Sequence, residues 1–144
     1  MDRYASHLPI LRRLLIRHRP ERILEYGAGM YSTPLFLAQD TVQRVVSIEP
    51  DPEWRRKVAL GVDDSRLTLR PDNNVTPSAF DLVFIDCGVR ESDRVPVIRE
   101  VLSSEHPLVV IHDAEVPAYA EVIEELAAVF KIYPTAPDTA VVVS

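Results

Sequence analysis

Cysteine is almost missing from this chain. Cys87 stands alone among 144 residues, so no disulfide can form within the chain, which fits a reducing compartment. No apolar run is long enough to cross a bilayer. The segment Met1–Pro20 carries arginines among its apolar positions and has no small-residue cleavage site. A secretory leader is therefore not expected, and a cytoplasmic location is. Excess positive charge is missing too. The formal net charge is −6, whereas a general nucleic-acid binder is more often basic. Repeats, linkers and low-complexity stretches are also lacking, so residues 1–144 are expected to form one domain, with 1–20 as an N-terminal helix covering the sheet. The hydrophobic share of 47% and charged share of 26% suit a packed globular core.

One local asymmetry stands out. Arg3, Arg12, Arg13, Arg17, Arg19 and Arg22 supply six of the sixteen Lys and Arg residues. Basic helix faces are common, so a solvated face is the plain reading. A docking surface for an acidic partner or RNA is the sharper one.

The apolar pattern alternates between strand and helix. Tyr4 to His18 has helical spacing at Leu8, Leu11, Leu14, Leu15 and His18, limited by Pro9 and stopped by Pro20. Strands are expected at 22–26, 44–49, 66–70, 81–86 and 107–112, and helices at 34–39, 52–60, 94–103 and 117–130. The fourth and fifth strands are apolar on both faces, as in a buried parallel sheet. Two further strands, 131–133 and 140–143, are joined by Pro134 to Thr139. That link is too short for a helical crossover, so they should run antiparallel. The helix-free link between the third and fourth strands must cross three strand spacings, about 14 Å. A loop of about ten residues reaches about 33 Å, so the crossing is feasible.

The chain is organised around Ile23-Leu24-Glu25-Tyr26-Gly27-Ala28-Gly29 and the Ser32-Thr33-Pro34 that follows. A strand leads into a Gly-x-Gly turn, and Ser32 or Thr33 is expected to cap a helix with Pro34 at its first position. This is how open α/β sheets hold nucleotide-like ligands, although a Gly-x-Gly by itself also serves a plain tight bend. Ser32 stands where a dinucleotide fingerprint wants its third glycine, which counts against NAD or FAD. Glu25 beside the turn would repel a pyrophosphate and suit an ammonium or sulfonium. Glu49 follows Gly29 by twenty residues, the spacing at which a carboxylate receives ribose hydroxyls.

These motifs in order resemble class I S-adenosylmethionine-dependent methyltransferases, small O-methyltransferase-like members above all. Glu25 to Gly29 with Ser32-Thr33 is similar to the family's first motif, and Ser47-Ile48-Glu49 to its ribose-binding acidic motif. Asp81 to Gly88 and Val109 to Asp113 are similar to its fourth- and fifth-strand motifs. The resemblance spans about Ile23 to Ser144. It implies a three-layer Rossmann-like α/β fold, a doubly wound sheet of about seven strands with the last antiparallel.

The resemblance also implies roles. Glu25 would face the methionine amino end, Gly27 and Gly29 would admit the ligand, and Ser32 and Thr33 would hold the methionine carboxylate. Glu49 would take the ribose hydroxyls, with Ile48 and Pro50 near the adenine, and Asp72 would approach the adenine amino group. Asp86 would sit at the methyl-transfer position, contacting ligand or substrate or acting as a base. His112 would serve as general base, with Asp113 beside it. A Mg²⁺ shared by Asp86 and Asp113 is the less favoured addition, because Ala114 stands where a third ligand is expected, and no metal ligands are assigned. His7, His18 and His106 read as structural, Trp54 as packing, and Cys87 as an inert buried thiol. The expected function is methyl transfer from S-adenosylmethionine to a hydroxyl of a small-molecule or saccharide-like acceptor. Membrane and nucleic-acid partners are not expected, and with no room for a lid the acceptor would be large, dock on an open face, or be enclosed by a second subunit of a homo-oligomer. Two other readings stay open: a non-catalytic ligand-binding or interaction domain, and a nucleotide-dependent oxidoreductase.

Overall fold

The structure is a computed structural model and describes residues 5–88 and 90–144. Arg3 and Tyr4 of the expected basic helix, and Val89 of the loop after the fourth strand, lie outside the described residues. The elements run α1 (Leu8–His18), β1 (Arg22–Tyr26), α2 (Ser32–Leu37), β2 (Arg44–Ile48), α3 (Pro52–Gly61), β3 (Leu67–Arg70), β4 (Leu82–Ile85), α4 (Glu91–Ser103), β5 (Leu108–His112), α5 (Pro117–Leu126), β6 (Val129–Tyr133) and β7 (Thr139–Val143). A single 3-10 turn at Pro77–Ala79 interrupts the link before β4.

The seven strands form one sheet in the order β3-β2-β1-β4-β5-β7-β6. β1 to β5 are mutually parallel, and β7 is antiparallel to both β5 and β6. The chain builds outward from β1 through β2 to β3, then crosses back to β4. The order therefore reverses between β1 and β4, which is where open α/β sheets bind ligands. The register aligns the carboxyl ends: Tyr26 pairs with Ile48 on one side and Ile85 on the other, and Ile85 pairs with Ile111. Gly27, Glu49, Asp86 and His112 thus arrive at one rim.

Alternation along each strand makes the three layers. Leu24, Val46, Val83 and Ile111 face Val97, Ile98 and Val101 of α4 and Val122 and Ile123 of α5. Ile23, Val45, Phe84 and Val110 face Leu11, Leu14 and Leu15 of α1 and Phe36 of α2. Fully burying such side chains contributes about 1.5–3 kcal/mol each. The outer face of α1 holds Arg12, Arg13 and Arg17 in solvent, as the plain reading of the basic cluster expects.

Three expectations are corrected. α1 turns Ile10 inward while His18 is exposed, so the inward stripe is shifted. α2 starts at Ser32 rather than Pro34, and among the described residues no side chain caps it. α5 ends at Leu126, because Ala127 is already extended (ψ 121°). Phe130 therefore leaves the helix stripe and pairs with Val142 in the β6–β7 ladder.

Candidate functional site

The glycine turn is held by the strands around it. Gly27 N–H donates to the Ile48 carbonyl at 2.8 Å, and Asp86 N–H donates to the Tyr26 carbonyl at 3.0 Å. Gly27 has φ +92°, and a Cβ there would lie 2.3 Å from the Asp86 carbonyl oxygen. Only glycine fits, on conformation and on space alike.

Glu25 lies beneath the turn and is fully buried. Ser32 Oγ donates to Oε2, while Thr33 Oγ1 (2.5 Å) and Ser47 Oγ (2.7 Å) donate to Oε1. Thr33 Oγ1 also accepts from Gly29 N–H at 3.1 Å. Burial pushes the Glu25 carboxyl up to about 7, and the three hydroxyls only partly oppose this. The expected roles of Glu25 facing an amino group, and of Ser32 and Thr33 holding a carboxylate, do not match this placement. A buried carboxylate must find donors, and it takes the two hydroxyls that would otherwise cap α2. Ser32 still reaches the cleft wall; Glu25 and Thr33 do not line it.

Two adjoining clefts open at the rim and share Gly27, Ala28, Trp54 and Asp86. One, of about 580 Å³, is lined by Ile48, Glu49, Pro50, Asp51, Asn73 and Cys87 among others. The second, of about 410 Å³, runs past Gly29, Met30 and Tyr31 to His7. Both have the size of small-molecule sites. Glu49 is half-buried, and burial raises its carboxyl above the ordinary value. Asp51 caps α3 by accepting from Glu53 and Trp54 N–H groups. Trp54 swings over the turn and donates its indole N–H to the Ala28 carbonyl at 2.7 Å. Trp54, expected only to pack, is therefore a wall of both clefts. Asp72 does not line either cleft; it is exposed and pairs with Arg70 at 3.2 Å, and the neighbouring Asn73 takes the lining position. Cys87 lines the larger cleft, with its thiol pushed up to about 11 by burial.

The β4–β5 end is a charged network. Arg94 is 5% exposed and donates to the Cys87 carbonyl, to the His112 carbonyl, to Asp113 Oδ2 at 2.9 Å and to Asp86 Oδ1 at 3.3 Å. His112 is 4% exposed, with Nδ1 at 3.4 Å from Asp86 Oδ1 and Nε2 at 3.1 Å from Ser6 Oγ. Burial lowers the affinity of His112 for a proton, but Asp86 and Asp113 outweigh it and raise the pKa. Burial likewise pushes Asp86 up, and His112, Arg94 and His7 together bring it below its ordinary value. Only Asp86 of the three expected catalytic residues lines the clefts; His112 and Asp113 lie behind it. A Mg²⁺ bridging Asp86 and Asp113 meets an obstacle, since the Arg94 guanidinium already joins those two carboxylates.

Arg94 was missed as a site residue. Its signal was present: it occupies the head of the 94, 97, 98, 101 helical stripe, and an arginine on an apolar stripe demands buried carboxylates. His7, expected to be structural, lines the smaller cleft.

No protein-family model matches this sequence, and no curated protein matches it. Solved structures match it in fold. A provisionally assigned caffeoyl-CoA O-methyltransferase from Staphylococcus aureus superposes with a TM-score of 0.73 at 17% identity, covering 93% of this chain and 80% of that one. The N-methyltransferase NodS from Bradyrhizobium japonicum, in complex with S-adenosylhomocysteine, gives 0.63 at 16% identity, covering 94% and 83%. The T. thermophilus 16S rRNA N2 G1207 methyltransferase, in complex with AdoMet and guanosine, gives 0.69 at 18% identity, covering 95% of this chain and 42% of that one. Strand order, glycine turn and fold neighbours agree, and the chain has the fold of the class I S-adenosylmethionine-dependent methyltransferases.

Proposed function

We propose that this protein transfers a methyl group from S-adenosylmethionine to a hydroxyl of a small, saccharide-like or comparable acceptor. One observation carries the reading. Among the described residues, the two clefts are lined by four carboxylates, Glu49, Asp51, Asp86 and Asp93, and by no Lys or Arg. Such a surface repels pyrophosphate and phosphodiester groups and attracts a sulfonium or ammonium cation. It argues against the dinucleotide oxidoreductase reading and against a nucleic-acid acceptor.

S-adenosylmethionine, when bound, supplies an electrophilic methyl on a positively charged sulfur. Glu49 would accept the ribose hydroxyls, Trp54 and Ile48 would form the apolar walls, and Gly27 would allow the backbone to close on the ligand. Asp86 lines both clefts and would take the proton of the acceptor hydroxyl, the methyl passing from sulfur to that oxygen and S-adenosylhomocysteine leaving. His112 and Arg94 hold Asp86 in one orientation, and Asp113 holds Arg94, so His112 and Asp113 are positioning residues. Orientation of this kind supplies a large part of such a rate enhancement.

Methyl-labelled S-adenosylmethionine offered with a panel of sugars, polyols and phenols tests the proposal. Label should pass to at least one hydroxyl acceptor, with S-adenosylhomocysteine released in equal amount, and Asp86→Asn should cut the rate about 100-fold or more. Binding of S-adenosylhomocysteine without transfer to any acceptor would favour the non-catalytic ligand-binding domain instead.

A further inference from the structure

Three metal-ligating side chains meet where the smaller cleft closes, and methyl transfer as derived above uses only one of them directly. One donor atom each from His7, Asp86 and His112 lies within 4.8 Å of the other two. They come from three parts of the chain: the turn before α1, the end of β4 and the end of β5.

His7 is the independent pointer. It is 2% exposed, it lines the cleft, and neither ring nitrogen has a hydrogen-bond partner among the described residues. A buried polar group left unmet is costly and uncommon. Its ring packs edge-on to His112, with centroids 4.7 Å apart, and tilts against Phe84 at 5.1 Å. The position is therefore fixed by packing, with its nitrogens unpartnered among the described residues.

His112 is oriented as metal-binding imidazoles are. Ser6 Oγ lies 3.1 Å from His112 Nε2 and also reaches the Pro137 carbonyl at 3.4 Å. This leaves Nδ1 directed at Asp86 Oδ1. A polar partner on one ring nitrogen, fixing the other toward a carboxylate, is the usual supporting shell of a metal-bound histidine.

We infer that His7, Asp86 and His112 form a binding site for a first-row divalent transition cation, with Zn²⁺ as its reference ion. Two imidazoles and one carboxylate favour such an ion over Mg²⁺. A tetrahedral Zn²⁺ with bonds of about 2.1 Å holds its donors about 3.4 Å apart. Asp86 and His112 already stand at 3.4 Å, so the adjustment falls mainly on His7. Metal uptake displaces the proton from His112 Nδ1 to solvent, and Arg94 gives up its 3.3 Å bond to Asp86 Oδ1 while keeping its bond to Asp113. The open coordination position faces the cleft, where it would take an oxygen of the acceptor. That last role rests on the methyl-transfer reading, whereas the site itself does not.

Calorimetry with ZnCl₂ on the chelator-stripped full chain is the test. One ion per chain is expected, and Co²⁺ in its place should give the visible absorption of a low-coordinate site. His7→Phe, confirmed folded by circular dichroism, should weaken Zn²⁺ about 100-fold or more and remove the Co²⁺ spectrum. His18→Ala and His106→Ala should change neither. X-ray absorption of the Zn²⁺-loaded wild type needs no variant and should show two imidazoles in the first shell. Lack of stoichiometric Zn²⁺ binding, binding that survives His7→Phe, or a first shell without imidazole would overturn the site. So would loss of binding in Asp113→Asn with His7→Phe unaffected. Titration of S-adenosylhomocysteine into the same samples, with and without Zn²⁺, reads the methyl-transfer proposal separately.

Discussion

The β1–β2 half of the rim and the β4–β5 half solve different problems. At β1–β2 the wall is backbone, an indole and two carboxylates: Gly27 hard against β4, Trp54 tied to Ala28, and Glu49 and Asp51 at the cleft. At β4–β5 the charged groups are packed in a closed network, with Arg94 and His112 buried behind Asp86, which reaches the cleft. The first half is shaped to receive a ligand. The second keeps charges apart from water, where each must be paired to be tolerated. The same contrast separates the two glutamates: Glu25 is sealed by three hydroxyls, while Glu49 keeps its carboxylate at the cleft. A glutamate beside a glycine turn is thus not automatically a ligand contact.

The largest expected effect breaks the open half. Glu49→Ala should weaken S-adenosylhomocysteine binding about 100-fold or more, because hydrogen bonds to a charged group contribute about 1.5–3 kcal/mol each; unchanged affinity by calorimetry would remove Glu49 from the site. Next comes the turn. Gly27→Ala forces a Cβ to 2.3 Å from a backbone oxygen at φ +92°, and urea unfolding should show a loss of about 3 kcal/mol.

The sealed glutamate gives a pH signature. Its folded pKa of about 7 lies above its ordinary value of 4.5, so the folded state holds a proton that the unfolded state has released. The stabilisation is fully present below about 4.5 and disappears as pH rises through about 7, a change on the order of 3 kcal/mol. Glu25→Gln should remove this fall, so the stability difference between variant and wild type should shift by that amount between pH 4 and pH 8. A parallel pair of stability curves would contradict the sealed carboxylate. Smaller still, Trp54→Phe deletes the bond to Ala28 and should cost about tenfold in S-adenosylhomocysteine affinity. Asp72→Ala, away from both clefts, should change that affinity less than about twofold.

The contrast also explains what the sequence made legible. Strand alternation, Gly27, Glu49 and the antiparallel return at β6–β7 follow from local rules of spacing and turn length, and these are visible along the chain. Phe130 fits both the helical stripe of α5 and the alternation of β6, and only pairing with Val142 decides between them. Glu25, Ser32 and Thr33 were legible as a group near the ligand turn, but their partners are each other and Ser47, twenty-two residues from Glu25. His7, Arg94 and His112 come together across up to 105 positions, and no spacing rule connects a turn before the first helix with the end of the fifth strand. Side-chain networks assembled from distant segments are decided by tertiary packing, so Asp86, His112 and Asp113 were legible at the β4–β5 half, while Arg94 and His7, which join them, were not.

The central claim is that the carboxylate-lined rim receives S-adenosylmethionine, and calorimetry of the wild type with S-adenosylhomocysteine, run beside NAD, tests it most directly. Saturable binding at one molecule per chain, with no heat from NAD, is the expected result. No binding of S-adenosylhomocysteine, or binding of NAD in its place, would contradict the account.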